Sequence, residues 1–278
     1  MLFVSGEKPE RFPKALAAGA DLVCIDLEDA VHPARKPQAR RDALAFAAQR
    51  ETLHGACRLA VRLNGLRTPE GLADAEALIA SGVRLDAVLL PKVEHPQDLA
   101  LFSAWAGSQI DSLVALVETP LGIENAAAIA AAARRDVPSL AALMLGGADL
   151  AFELGAAFDW DGLLSARGRL VNAARSARLQ CWDVPHLDLA DLDALAAETL
   201  RVAAMGFTCK AAIHPSQVAV IHQAFQPTEA ELRWARALVQ AVDAQGDATA
   251  GAFVFEGRMV DAPVLARARR IEQLAGDR

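Results

Sequence analysis

Residues 113–126 read LVALVETPLGIENA, and their order carries the fold. The apolar run from Leu113 to Val117 is short and unbroken, as expected of a strand covered on both faces in a parallel sheet. Thr119-Pro120 follows, with proline in the position favoured for the first turn of a helix. A buried strand running straight into a helix is one β/α unit. At the junction sits Glu118, a carboxylate that is costly to bury unless it is paired or holds a metal ion.

Working outward, the unit recurs. Apolar runs at 2–4 (LFV), 22–26 (LVCID), 59–64 (LAVRLN), 87–92 (AVLLPK), 113–118, 140–146 (LAALMLG), 180–186 (QCWDVPH) and 209–214 (CKAAIH) predict eight strands. Between them, PERFPKALAAGA, PEGLADAEALIASG and DLDALAAETLRVAAMG repeat apolar residues at helical spacing and end on Gly19, Gly82 and Gly206. Eight β-then-α units make the count of a (β/α)8 TIM barrel. An open doubly wound sheet shows the same alternation, but no GxGxxG fingerprint follows the first strand. The barrel is therefore expected over residues 1–222. Beyond them the rhythm breaks into a helical stretch, a Gly/Ala break, GAFVFEGRMVD with Glu256-Gly257 at the turn of a hairpin, and a last helix. Residues 223–278 thus form a helical and hairpin extension outside the eightfold pattern.

Of the 278 residues 53% are hydrophobic, enough for a large core and unlike a disordered chain. A net charge of −7, no basic cluster and no tyrosine argue against a nucleic-acid partner, while leaving room for local cationic sites that bind an anionic substrate. Cys24, Cys57, Cys181 and Cys209 form no CxxC pair and lie in or beside predicted strands, so free thiols in a reducing compartment are expected. The first residues lack a signal peptide's apolar core, and no run is long enough to span a bilayer. A cytoplasmic protein without a membrane partner is expected.

Barrel enzymes place their chemistry at the carboxyl ends of the strands. Asp26, Glu28 and Asp29 follow the second strand here, Arg62 and Asn64 the third, and Lys92 the fourth. Glu118 ends the fifth, Asp149 follows the sixth, and Asp183, His186 and His214 lie at the last two exits. Glu118 and Asp149, past adjacent strands, could share a hard divalent cation completed by waters and substrate oxygens. Mg2+ suits such a set, and the lack of a His/Cys cluster argues against zinc. The plainer alternative makes Glu118 a cap for the next helix. Arg62 offers a fixed fork either to a substrate carboxylate or to the acids of LEDA. Lys92 and Lys210 allow a Schiff base or simple pairing with anions. His32, His54, His95 and His222 show no metal spacing, whereas His186 and His214 either line a pocket or pack.

Seven segments in order carry a wider likeness: LFVSGEKPERFPKAL, DLEDAV, VRLN, ETPLGIENA, GGADLAFELG, GFTCKAAIHPSQV and GRMVDAPVLARARRI. Together they resemble the citrate lyase beta-subunit-like branch of the HpcH/HpaI aldolase family. The resemblance implies a barrel that assembles as a homotrimer or hexamer and uses Mg2+. It implies retro-Claisen or Claisen chemistry on a short 3-hydroxy-acyl-CoA such as citramalyl-, malyl- or citryl-CoA. By the same resemblance Glu118 and Asp149 are the metal ligands, and Arg62 holds the oxo-acid carboxylate. Glu28 and Asp29 orient Arg62 and metal-bound water. Asp261 is the acid/base, carried by the C-terminal extension as a lid on a neighbouring subunit. Arg11 and Lys14 match the region that grips CoA phosphates, with Ile213 and His214 near that ligand. Where relatives usually have VPG in the first turn this chain has VSG, from which a looser loop at Ser5 is expected. Two other readings stay open: hydrolysis of the thioester, as in thioesterase or malate-synthase-like relatives, and a subunit that serves an acyl-carrier partner.

Overall fold

Strands β1 (Leu2–Ser5), β2 (Leu22–Asp26), β3 (Arg58–Arg62), β4 (Ala87–Leu90), β5 (Leu113–Val117), β6 (Leu140–Leu145), β7 (Gln180–Asp183) and β8 (Cys209–Lys210) pair in sequence order. Every pairing is parallel. The computed structural model describes residues 1–49, 57–245 and 251–276; His54 and residues 246–250 of the predicted Gly/Ala break lie outside them. The ring closes through backbone hydrogen bonds. Phe3 N–H donates to the Ala212 carbonyl at 2.9 Å and Ala212 N–H to the Met1 carbonyl at 2.8 Å, forming a parallel bridge between Leu2 and Ala212. That closure distinguishes the barrel from an open sheet.

Burial on both faces explains the unbroken apolar runs: β2, β4 and β5 are buried at every position. Alternate side chains fill the barrel, among them Leu22, Cys24, Ala60, Leu89, Val114 and Leu116, with Trp182 on the far side. Continuing the same alternation brings Asp26, Arg62 and Glu118 to the inward face at the carboxyl-end mouth. The period that packs the core therefore also loads the mouth with charge.

Several strands stop short of the runs that predicted them. β4 ends at Leu90 because Pro91 has no N–H for the ladder, and Lys92 then turns left-handed at φ 54°. β8 is two residues long, its successors having turned to β1 to close the ring. Around the barrel lie α1 (Phe12–Leu16), α2 (Lys36–Ala48), α3 (Pro69–Ser81), α4 (Pro96–Ala106), α5 (Pro120–Glu124) and α6 (Ala126–Ala131). They continue with α7 (Gly147–Leu154), α8 (Trp160–Ser176), α9 (Leu192–Met205) and α10 (Pro215–Phe225). Thr68 and Gly82, the latter left-handed at φ 65°, start and stop α3. PERFPKALAAGA makes only a 3-10 turn and the short α1, since Pro13 brings no N–H to a continuous helix.

The chain divides into two compact units, Met1–Ile221 and His222–Arg278. The second contains α11 (Glu229–Gln245), the antiparallel hairpin β9 (Phe253–Phe255) and β10 (Arg258–Val260), and α12 (Ala262–Gly276). Glu256 and Gly257 both have positive φ, as a tight two-residue hairpin turn demands. Ala235, Leu238, Val242, Val260, Ala268 and Ile271 give this unit a small core of its own. Cys24, Cys181 and Cys209 are free thiols, with Cys24 and Cys181 buried. Among the described residues no helix is long and apolar enough to cross a membrane.

Candidate active site

Arg62, the last residue of β3, is gripped along one edge by Asp26. Nε donates to Oδ1 at 2.7 Å and Nη2 to Oδ2 at 2.6 Å, a bidentate pair. The same two carboxylate oxygens accept the backbone N–H groups of Glu28 (2.9 Å) and Ala30 (3.2 Å), which shapes the turn after β2. That turn brings Glu28 Oε2 to 3.0 Å and Asp29 Oδ2 to 3.3 Å from Nη1, while the Phe3 ring centroid lies 5.3 Å from the guanidinium carbon. Burial opposes the charge on Arg62, but Asp26 and its neighbours outweigh burial and raise the pKa. Glu28 and Asp29 therefore do face Arg62, yet the principal partner is Asp26. Sequence reasoning placed Asp26 at the strand exit without assigning it this part, because the inward phase of β2 shared by Leu22, Cys24 and Asp26 shows only once the barrel is formed.

Glu118 stands one position beyond β5 and does not cap the following helix. Thr119 Oγ1 does so, accepting the Gly122 N–H at 3.0 Å. Glu118 Oε1 accepts the backbone N–H of Lys92 at 2.8 Å. Its carboxylate lies against Gly146, where an added Cβ would stand 2.3 Å from Oε2. The glycine of GGAD is thus dictated by close approach. Across the mouth, Lys92 Nζ lies 2.6 Å from Asp149 Oδ2, 3.1 Å from Glu28 Oε1 and 3.8 Å from Glu118 Oε1. Lys92 is therefore an anion-paired lysine and not one poised for a Schiff base. Burial works against its charge, but Asp149, Glu118 and Glu28 prevail and raise its pKa. Burial, followed by the nearby charge of Glu28, pushes the Glu118 carboxyl up to about 8. Glu28 is raised as well, first by burial, and its Oε2 is buried without a hydrogen-bond partner.

Among the described residues, Asp26, Glu28, Asp29, Glu118 and Asp149 pair with the two cations Arg62 and Lys92, so carboxylates outnumber cations at this mouth. Among the described residues no group of three or more His, Cys, Asp or Glu is arranged to hold a metal ion. An ion at this mouth would rest on two protein carboxylates, and Glu118 and Asp149 already converge on one ammonium. The Gly146 cradle and the raised proton affinity of Glu118 both fit an added cation. The residues suit Mg2+, which keeps several waters and takes few carboxylates. They do not suit zinc.

Beside this mouth a cavity of about 570 Å³ brings together Arg11, Lys14, Ile213 and His214, and Asp26 is part of its wall. Ser5, also in that wall, donates its hydroxyl to the Ala30 carbonyl at 2.6 Å and accepts the Glu7 N–H at 3.2 Å. The expectation of a loosened first loop is overturned: the serine ties the end of β1 to the turn after β2.

Other charged candidates belong to the framework. Lys210 is fully buried, donating to Asp183 Oδ2 (2.8 Å), Glu198 Oε1 (2.6 Å) and the Val184 carbonyl (2.8 Å). Arg167 and His186 join the same cluster through Asp183 and Glu198, fastening β7 and β8 to α8 and α9. Trp182 faces the barrel interior, so Asp183 faces out, and Lys210 is no Schiff-base candidate. Asn64 is buried and bonded to Asp74 and the Leu27 carbonyl. Asp261, in the second unit, accepts the Val264 N–H at 3.2 Å and caps α12.

The family described as HpcH/HpaI aldolase/citrate lyase matches residues 1–215. The citrate lyase subunit beta-like protein of Mycobacterium tuberculosis is 36% identical over 283 residues, covering 99% of this chain and 95% of that protein. Mitochondrial citramalyl-CoA lyase of Rattus norvegicus is 32% identical over 290 residues, covering 99% of this chain and 85% of that protein. The crystal structure of protein CitE from Mycobacterium tuberculosis in complex with magnesium, acetoacetate and coenzyme A is similar at a TM-score of 0.83 and 36% identity, covering 99% of this chain and 97% of the other.

Proposed function

This chain belongs to the HpcH/HpaI aldolase/citrate lyase family, and from that footing we propose that it is a Mg2+-dependent carbon–carbon lyase. Its substrate would be a short 3-hydroxy-acyl-CoA of the citramalyl, malyl or citryl type. The observation that carries this reading is the convergence of Glu118 and Asp149 on one cationic position beside the Arg62 fork. The relatives support it: one is a citramalyl-CoA lyase, and another was crystallised with magnesium, acetoacetate and coenzyme A.

Glu118 and Asp149 would hold Mg2+, which would supply Lewis-acid charge stabilisation to the reacting oxygen of the substrate. Arg62, with one edge fixed by Asp26 and Glu28 and Asp29 at its Nη1, would offer its guanidinium to the substrate carboxylate and stabilise developing charge. In cleavage the hydroxyl loses its proton, its oxygen electrons form the keto C=O, and the pair of the breaking carbon–carbon bond passes to the carbon alpha to the thioester carbonyl, giving the thioester enolate. We assign the hydroxyl proton to Glu28, whose buried Oε2 accepts no hydrogen bond, lying 3.0 Å from Arg62 Nη1 as an ion pair, and whose raised proton affinity suits an acceptor. Asp261 gives a proton to the enolate carbon, completing acyl-CoA and keto acid, or removes that proton in condensation. It would come from the second unit of a neighbouring subunit in a homotrimer or hexamer, with closure excluding water. Arg11 and Lys14 offer cations to CoA phosphates, with Ile213 and His214 in the same wall. A cytoplasmic location accords with this chemistry.

The test is a panel of acyl-CoA substrates with Mg2+, reading keto acid and free thiol together. Keto acid without free thiol supports a lyase. Free CoA release would replace it with hydrolysis. Turnover only on substrates attached to an acyl-carrier protein would make the chain a dependent subunit.

A further inference from the structure

Lys92 adopts φ 54°, a left-handed conformation that residues with a Cβ seldom hold. The turn lets one residue touch Glu118 twice: its N–H donates to Oε1 at 2.8 Å, and its ammonium returns to within 3.8 Å of that same oxygen. Nζ also reaches Asp149 at 2.6 Å and Glu28 at 3.1 Å. A side chain from the end of β4 therefore gathers carboxylates from the turn after β2, the end of β5 and the first turn of α7. The side chain keeps 41% of its surface exposed, so its flexible stem has room to withdraw.

We propose that Lys92 is a resident cation of this mouth, occupying the place between Glu118 and Asp149 and leaving it when a divalent ion enters. This rests on the assignment of those two residues as the metal-binding pair. The ammonium holds mutually repelling carboxylates together while no metal is bound, and competes with the metal for them. Its presence weakens divalent binding, so the ion is retained best when substrate oxygens add their own ligands. The opposite role, a strut that prepares the carboxylates for metal, predicts the opposite sign on removal.

The full-length chain and its Lys92→Met and Lys92→Arg variants are titrated with Mn2+ alone, followed by electron paramagnetic resonance, with melting measured with and without Mn2+. Removing one unit charge a few ångströms from a divalent ion is expected to tighten Mn2+ binding roughly tenfold in Lys92→Met. Lys92→Arg stays near the parent affinity. The metal-free melting temperature of Lys92→Met falls, while its Mn2+-induced rise exceeds the parent's. A general packing defect would lower both, and this outcome, like unchanged or weaker Mn2+ binding, overturns the proposal. Glu118→Gln and Asp149→Asn test the premise separately. Undiminished Mn2+ binding in both would remove the metal pair itself, and binding by none of the proteins would remove pair and proposal together.

Discussion

Glu118 and Gly146 touch because one of them has no side chain: a Cβ at position 146 would stand 2.3 Å from both the Cβ and the Oε2 of Glu118. The contact joins the end of β5 to the turn that begins α7 and so sets Glu118 relative to Asp149. Gly146→Ala must displace the carboxylate or the turn. Overpacking of this kind costs roughly 1–3 kcal/mol, so the melting temperature falls by several degrees. Mg2+ affinity is expected to drop at least about tenfold, as misplaced ligands require. Calorimetric metal titration beside thermal melting checks both, and unchanged metal affinity would show that the cradle does not position Glu118.

Asp26 leaves Arg62 no freedom along its Nε/Nη2 edge. Asp26→Asn keeps the shape but not the charge-assisted pair, and Arg62→Lys keeps a charge but not the fork. Each is expected to lower kcat/KM by about a hundredfold, in the range found when a preorganised charge-stabilising donor is removed. Steady-state kinetics across the acyl-CoA panel decide it. Near-normal turnover in Arg62→Lys would show that a point charge suffices.

These residues were not equally legible in sequence. A buried parallel strand announces itself by an unbroken apolar run, so β2 and β5 and the acids beyond them could be placed from composition alone. Asp26 could not be singled out from Glu28 and Asp29 because choosing among them requires the inward phase of β2. That phase becomes visible only when Leu22 and Cys24 are seen inside the barrel. Lys92 hid for another reason: nothing in PKV marks a left-handed residue, and a strand-end lysine ordinarily points to water. Closure at Ala212 is backbone hydrogen bonding and leaves no side-chain signature. Thr119 took the capping part considered for Glu118, which freed the glutamate for the mouth.

Asp261 offers a separation of structure from chemistry. Its carboxylate accepts the Val264 N–H, and asparagine caps a helix about as well as aspartate. Asp261→Asn is therefore expected to melt like the parent, whereas Asp261→Ala loses about 1 kcal/mol with the cap. Both lose turnover. If the residue is delivered to a neighbour's barrel, co-expressed Asp261→Asn and Glu118→Gln chains regain partial activity that neither shows alone. A fully active Asp261→Asn protein would take this residue out of the mechanism.

The outward face of β7 and β8 carries a pH signature distinct from the mouth. Burial acts to raise the Glu198 carboxyl, but Lys210, followed by His186 and Arg167, outweighs burial and lowers its pKa. A folded pKa below the ordinary carboxylate value of about 4.3 contributes stability that is present above that value. The contribution disappears as pH falls through the lowered folded pKa. Thermal melts from pH 7 down to about 3 should therefore show an acid limb to which Glu198 contributes. In Glu198→Gln the melting temperature is lower at pH 7, because Lys210 and Arg167 lose a charged partner. The gap between variant and parent narrows toward the acid end, where the parent's carboxylate is also neutral. A constant gap across the range would mean that Glu198 acts through packing, and that its charge does not fasten β8 to α9.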